Sequence, residues 1–363
     1  MKTRKYFVLF TVAVILTVLA SACQPKATEA PATAEETEVA ATESTEETGA
    51  KEVKKVLLIT EDPIGVNPYF ITAQDGLNKA ATELGVETKI IECNGDPTNM
   101  DENLRAAARE DYDLIIAMTF GFNDTLLEVA PTTPDKFYIC VDCGLDLTGI
   151  TNVADVGFKS HEAAYLLGIA AAYLTESRII SSIGPVESPF MTRWTIPFAN
   201  AALSVDPEIK VLDTLWVGDW ADPATAKELA LSLANQGADV INGAAAAGNP
   251  GIFEAAIEKD FLSTGVDVNE CPKAPGQIID STIKRVDIAV YDYIQKLLDG
   301  KLEAGYFEYG LKEGGVDLAV FAWPDTETQC VLAEHPDVME KVSAVRQQII
   351  DGTLVIPDPL TQP

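Results

Sequence analysis

The side chains suited to chemistry gather where apolar runs end. Glu61, Asn67, Tyr69 and Phe70 follow the run Lys55–Thr60, and Asp142 follows Phe137–Val141. Asp219, Trp220 and Asp222 follow Ile209–Trp216, and Gly248, Asn249, Asp267 and Lys284 come at later breaks. Carboxylates, amides, one ammonium and broad aromatic faces suit hydrogen bonding and stacking on a small polar molecule. Bond-making machinery is missing from the same pattern. There is no Gly-x-Ser-x-Gly turn and no Gly-x-x-x-x-Gly-Lys-Ser/Thr phosphate loop. The two histidines, His161 and His335, stand far apart without the spacing of a metal cage. No catalytic residue, metal or cofactor is expected.

Beyond Cys23 the chain has Cys93, Cys140, Cys143, Cys271 and Cys330, an odd number that cannot all pair within one chain. Cys140-Val-Asp-Cys143 has the spacing of a redox or metal motif, yet it lacks the second Cys pair or His of a structural zinc site. Buried or bridged cysteines are the expectation, with Cys271–Cys330 as the proposed bridge.

These residues need a scaffold, and the apolar pattern supplies one. Strands are predicted at 55–60, 87–92, 114–118 and 137–141, alternating with helices at 69–84, 99–110 and 123–129. The rhythm restarts with helices at 162–174, 193–203, 223–236 and 251–260 and strands at 179–183, 209–216 and 240–242. Such β-α-β-α order means parallel sheets with helices on both faces. The expected class is α/β, two doubly wound lobes joined by a hinge, with ligand outside the carboxyl ends of the strands and between the lobes.

The first residues, Met1-Lys2-Thr3-Arg4-Lys5, lead into an apolar run that ends Leu19-Ala-Ser-Ala-Cys23, the layout of an export signal. Cleavage after Ala22 leaves Cys23 first, as in bacterial lipoproteins; Ala20-Ser21-Ala22 also fits an ordinary signal peptidase. The run is short for a transmembrane span. Residues 24–53 are Ala, Thr, Glu and Pro with almost nothing bulky, an acidic spacer that cannot bury enough apolar surface to fold. Of the formal net charge of −30, residues 56–363 carry −29, since residues 1–22 carry +3 and residues 24–55 carry −4. So acidic a body repels nucleic acid.

Several stretches together resemble one family: Asn152-Val with Gly157-Phe158, Leu167-Gly-Ile-Ala-Ala171, Gln236-Gly-Ala-Asp-Val240, Gly248-Asn-Pro-Gly251, Gly265-Val-Asp267, Lys284-Arg-Val-Asp-Ile-Ala-Val-Tyr-Asp292 and Gly310-Leu-Lys-Glu-Gly-Gly-Val316. In this order they are similar to the basic membrane protein (Bmp/Med) family, substrate-binding lipoproteins of ABC importers, many of them purine nucleoside receptors. The resemblance implies a type I periplasmic-binding-protein fold with three crossings between lobes. It divides the chain into a signal at 1–22, a lipidated terminus and linker at 23–53, and a solute-binding domain at 54–363. The first lobe would hold about 54–158 and 284–302, the second about 159–283 and 303–363.

By the same resemblance Tyr69 and Trp220 sandwich a base, Asp267 and Lys284 hold ribose hydroxyls, and Asp142 is a polar position of the first lobe. Where the family has Phe-Asn this chain has Tyr69-Phe70, so Asn67, Glu61 or a backbone group must read the base edge. Asn67-Pro-Tyr-Phe70 also resembles a segment of sugar-binding type I receptors. The expectation is a monomeric, membrane-anchored extracytoplasmic receptor that works with an ABC permease. A pentose or other sugar, or a signalling or adhesion role, remains the alternative.

Overall fold

A computed structural model describes residues 53–65 and 67–361. The signal, Cys23 and nearly all of the linker lie outside them.

The first lobe opens with β1 (Lys55–Thr60), α1 (Pro68–Leu84), β2 (Glu87–Glu92), α2 (Pro97–Ala107), β3 (Leu114–Met118), α3 (Asn123–Val129), β4 (Phe137–Val141) and β5 (Val153–Phe158). The inner strands are nearly continuous Val, Ile, Leu and Ala, buried on both faces as a covered parallel sheet requires. Two helix starts have the same logic. The Asn67 side chain accepts from Tyr69 N at 3.1 Å ahead of Pro68, and the Asp96 side chain accepts from Thr98 N at 2.8 Å ahead of Pro97. α1 ends on Gly85 at φ 71°, a left-handed position where glycine carries no side-chain penalty.

The chain then enters the second lobe through α4 (Ser160–Leu174), β6 (Ile179–Gly184), α5 (Thr192–Val205), β7 (Lys210–Val211), β8 (Leu215–Trp216), α6 (Pro223–Asn235), β9 (Val240–Gly243), α7 (Asn249–Lys259), β10 (Leu262–Asp267) and β11 (Ile278–Lys284). It returns to pack α8 (Val286–Asp299) against α1 and to add β12 (Gly305–Tyr309) beside β5. It ends in the second lobe with β13 (Val316–Leu318), α9 (Ala319–Ala322), α10 (Val331–Glu334) and α11 (Pro336–Ile350). The first sheet runs β12-β5-β4-β3-β1-β2, all parallel. The second runs β13-β11-β10-β9-β6-β7, with β8 also on β6 and β13 antiparallel to β11.

Three crossings join the sheets, after Phe158, Lys284 and Tyr309. Arg193 of α5 laces them: Nη1 donates to Phe158 O at 3.0 Å, Nη2 to Glu308 at 2.6 Å, and Nε to Asp358 at 3.0 Å.

Three expectations need correction. The sequence division put 303–363 in the second lobe, but residues 305–309 form an edge strand of the first sheet. The Gly-rich segment Gly310–Gly315, not the boundary at about 302–303, carries the last crossing. Lys284, assigned to the first lobe, is the last residue of β11 in the second sheet. The single strand expected at 209–216 is two short pieces, because the Ser181 hydroxyl takes the carbonyl of Asp213 at 3.1 Å and interrupts the edge ladder.

Among the described residues the cysteines form two bridges, Cys140–Cys143 and Cys271–Cys330, while Cys93 is free and buried.

Candidate ligand-binding cleft

The carboxyl ends of strands from both sheets converge on one cavity of ≈ 130 Å³. Glu61, Asp62 and Thr119 come from the ends of β1 and β3, Asp142 from the end of β4, and Tyr69 from the first turn of α1. The facing wall carries Phe190, Met191 and Trp194 around the start of α5, Trp220 before α6, Ala244 and Ala246 after β9, and Asp267 at the end of β10.

Lys284 occupies the centre. Its Nζ lies 2.7 Å from Asp142 Oδ2 and 4.0 Å from Asp267 Oδ1. It also sits over the rings of Tyr69 at 4.9 Å, Trp194 at 5.0 Å, Phe158 at 5.6 Å and Phe190 at 5.7 Å. An ammonium surrounded by aromatic faces and two carboxylates is held by charge from several sides. The Tyr69 hydroxyl donates to the same Asp142 Oδ2 at 3.0 Å. Burial, and then the Asp142 charge, raises the Tyr69 phenol well above its usual range, so it remains a donor. Burial also pushes Asp267 up to about 6; Lys284 pulls it down, and Asp142 and Glu270 push it further up.

The sequence expectation paired Lys284 with Asp267. The closer, hydrogen-bonded partner is Asp142, so the direct ion pair joins the end of β11 in the second lobe to the end of β4 in the first. Asn67 lines the cavity, but its carbonyl oxygen is spent on capping α1, and Glu61 accepts the Thr119 hydroxyl.

Gly248 and Asn249 do not line the cavity. Asn249 is fully buried. Its Oδ1 accepts from Ala245 N at 2.8 Å, and its Nδ2 donates to Gly243 O at 3.0 Å and to Glu270 at 2.7 Å. Glu270 in turn accepts from Val266 N at 3.0 Å. Asn249 therefore braces the ends of β9 and β10, which present Ala244 and Asp267. A polar residue after a strand looks the same in sequence whether it faces the ligand or the turn that presents it.

Sequence reasoning missed Phe190, Met191 and Trp194. They follow β6, so the strand-end rule that found Asp142 would have found Phe190 had it been applied there; Trp194 was passed over as part of a helix. A second signal is visible only in the backbone. Of the eight described residues other than glycine with positive φ, four line this cavity: Thr119, Asp142, Ala246 and Asp267. Strain of this kind persists where surroundings enforce it, and it collects at functional sites.

Elsewhere, His161 is pushed down to about 4 by burial and lies outside the cavity. Cys271, Cys330 and Asp280 cluster closely enough to suggest a metal, but the two sulfurs are bonded to each other and offer no thiolate.

Residues 53–359 match the family described as ABC transporter substrate-binding protein PnrA-like, Bmp. A relative in Lactococcus lactis, the ABC transporter nucleoside-binding protein BmpA, is 29% identical over 273 residues covering 70% of this chain and 74% of that one. An uncharacterised lipoprotein of Pyrococcus abyssi is 30% identical, with 86% of each chain covered. The crystal structure of an ABC transporter solute-binding protein from Aeropyrum pernix shares the fold at a TM-score of 0.71 and 25% identity, covering 84% of this chain and 94% of that one. The chain belongs to the Bmp family of PnrA-like ABC transporter substrate-binding proteins, which bind their solute without chemical change.

Proposed function

We propose that this substrate-binding protein takes a purine nucleoside into the cleft and delivers it to the permease of an importer, anchored to the membrane through Cys23. The observation that carries the reading is Lys284, set between Asp142 and Asp267 among the faces of Tyr69, Trp194 and Phe190. Aromatic faces suit a base, and paired carboxylates beside an ammonium suit vicinal hydroxyls. Four acidic residues line the cavity against this single lysine, an environment that favours a neutral solute over a phosphorylated one. The printed name of the Lactococcus lactis relative supports the same class. Lobe closure on the solute would be what the permease reads.

Mass spectrometry of ligand retained through gentle purification, followed by titration with adenosine, guanosine, inosine, adenine and ribose, tests the reading. A retained nucleoside and tight nucleoside binding are expected; tight ribose binding with no nucleoside response replaces the reading with a sugar receptor. For the anchor, Cys23→Ala should move the protein from the membrane to the soluble fraction, and an unmodified Cys23 in soluble wild type removes it.

A further inference from the structure

Asp142 holds the cleft's central lysine from a backbone conformation that L-residues rarely adopt, φ 58°. Four contacts hold it there. Cys140 and Cys143, on either side of Asp142, are bridged, with Cα atoms 5.7 Å apart. Asp142 N donates to Val156 O at 2.9 Å, which carries the β4–β5 ladder one residue past the strand. Just beyond the bridge, Leu145 N donates to the buried Asp155 carboxylate at 2.7 Å, and the Asn123 amide donates to Cys143 O at 2.9 Å.

A bridge between residues three apart closes a very short loop, so it removes little freedom from the unfolded chain compared with Cys271–Cys330, which spans 59. Its larger effect is local: both flanks of Asp142 are fixed, and with them the direction of the carboxylate that receives Lys284 and Tyr69. The pair is also buried, Cys140 fully, so the sulfurs are not placed to exchange with a substrate.

We propose that the Cys140–Cys143 disulfide is a positioning element of the ligand site, which presets the Asp142 carboxylate for Lys284, Tyr69 and the bound solute. This rests on the reading that Asp142 belongs to the ligand site. Opening the bridge removes binding strength more than it removes stability.

The test is a double-mutant cycle on the full chain, crossing Cys140→Ala/Cys143→Ala with Asp142→Asn, with affinity measured by calorimetry and melting measured without ligand. Adenosine, guanosine, inosine and ribose are the probes, and the tightest binder to wild type is used. Removing the bridge should weaken binding at least about tenfold while melting moves little. On the Asp142→Asn background the same change should cost less than about twofold, because no carboxylate is left to position. An equal loss on both backgrounds, or affinity within about twofold of wild type, overturns the proposal. If that variant fails to fold, the single substitution Cys143→Ser, which also opens the bridge, replaces it in the cycle with the same outcomes. Should none of the four probes bind wild type, the ligand reading falls and the proposal with it. Should they bind while the cycle shows no coupling, the proposal alone falls.

Discussion

The two walls of the cleft are built from different chemistry. On the first-lobe side the polar groups are already committed to partners: Thr119 to Glu61, Tyr69 to Asp142, and Asp142 to Lys284. On the second-lobe side Phe190, Met191, Trp194 and Trp220 offer apolar surface, with Asp267 as the charge among them. The first wall can read hydroxyls and amines with groups set before the ligand arrives, while the second can cover a flat face and exclude water. A solute that satisfies both has a planar apolar face and a polar edge, and a simple sugar or an aliphatic acid meets only half of that description. Lys284 stands where the walls meet, so it belongs to both.

The comparison breaks most sharply at Lys284. Lys284→Met leaves Asp142 and Asp267 buried without their shared counter-charge, a change that costs about 3–5 kcal/mol. Ligand-free melting should fall, and nucleoside affinity should fall too, because an ammonium donor is lost with the charge. Calorimetric titration beside a melting curve separates the two. A variant that melts early yet binds adenosine at wild-type affinity would make the lysine a tie between lobes and nothing more.

A smaller effect is expected from the aromatic wall alone. Trp220→Ala should weaken base binding by about 1–3 kcal/mol through lost stacking and leave ligand-free melting nearly unchanged, since Trp220 is only partly buried. Trp323, which lies outside the cavity beside Arg285, is the control: Trp323→Ala should leave affinity alone. If Trp220→Ala binds adenosine and ribose with unchanged affinity, the stacking role passes to Trp194 and Phe190.

The difference between the walls also decides what the sequence could show. The alternation of strands and helices was legible because each inner strand is a short apolar run between stretches of helical periodicity. Asp142, Asp267 and Lys284 were legible as polar residues at the ends of such runs. The partner of Lys284 was not, because Asp142 and Lys284 lie 142 residues apart and meet only when two lobes fold. Trp194 was hidden by its place inside an amphipathic helix, where a buried aromatic ordinarily means core. Asn249 misled for the opposite reason: a strand-end amide was taken for a ligand contact when its own turn and Glu270 use it up. The edge strand β12 escaped notice because its sequence, Gly-Tyr-Phe-Glu-Tyr, is short and only half-buried.

The finest distinction between the walls is the ionisation of Asp267, the carboxylate on the otherwise apolar side. Its unliganded pKa of about 6 lies above the roughly 3.9 of an unfolded aspartate. Between those values the folded protein binds more protons than the unfolded chain, so this group's contribution to stability falls as pH rises through that window. On the proposed reading, hydroxyls of the nucleoside donate to the ionised form, so below pH 6 binding must expel a proton. Affinity should then drop by about tenfold from pH 7 to pH 5. Asp142, Lys284, Glu270 and Tyr69 surround the group, so wild type alone does not assign the change; Asp267→Asn must flatten the profile over the same range. Asp280, raised by burial to about 7, lies outside the cavity and should move melting rather than affinity. If affinity instead rises toward pH 5 in wild type and the rise disappears in Asp267→Asn, the carboxyl meets the ligand protonated, as a donor. The second-lobe wall would then be reading an acceptor on the base rather than hydroxyls on a sugar.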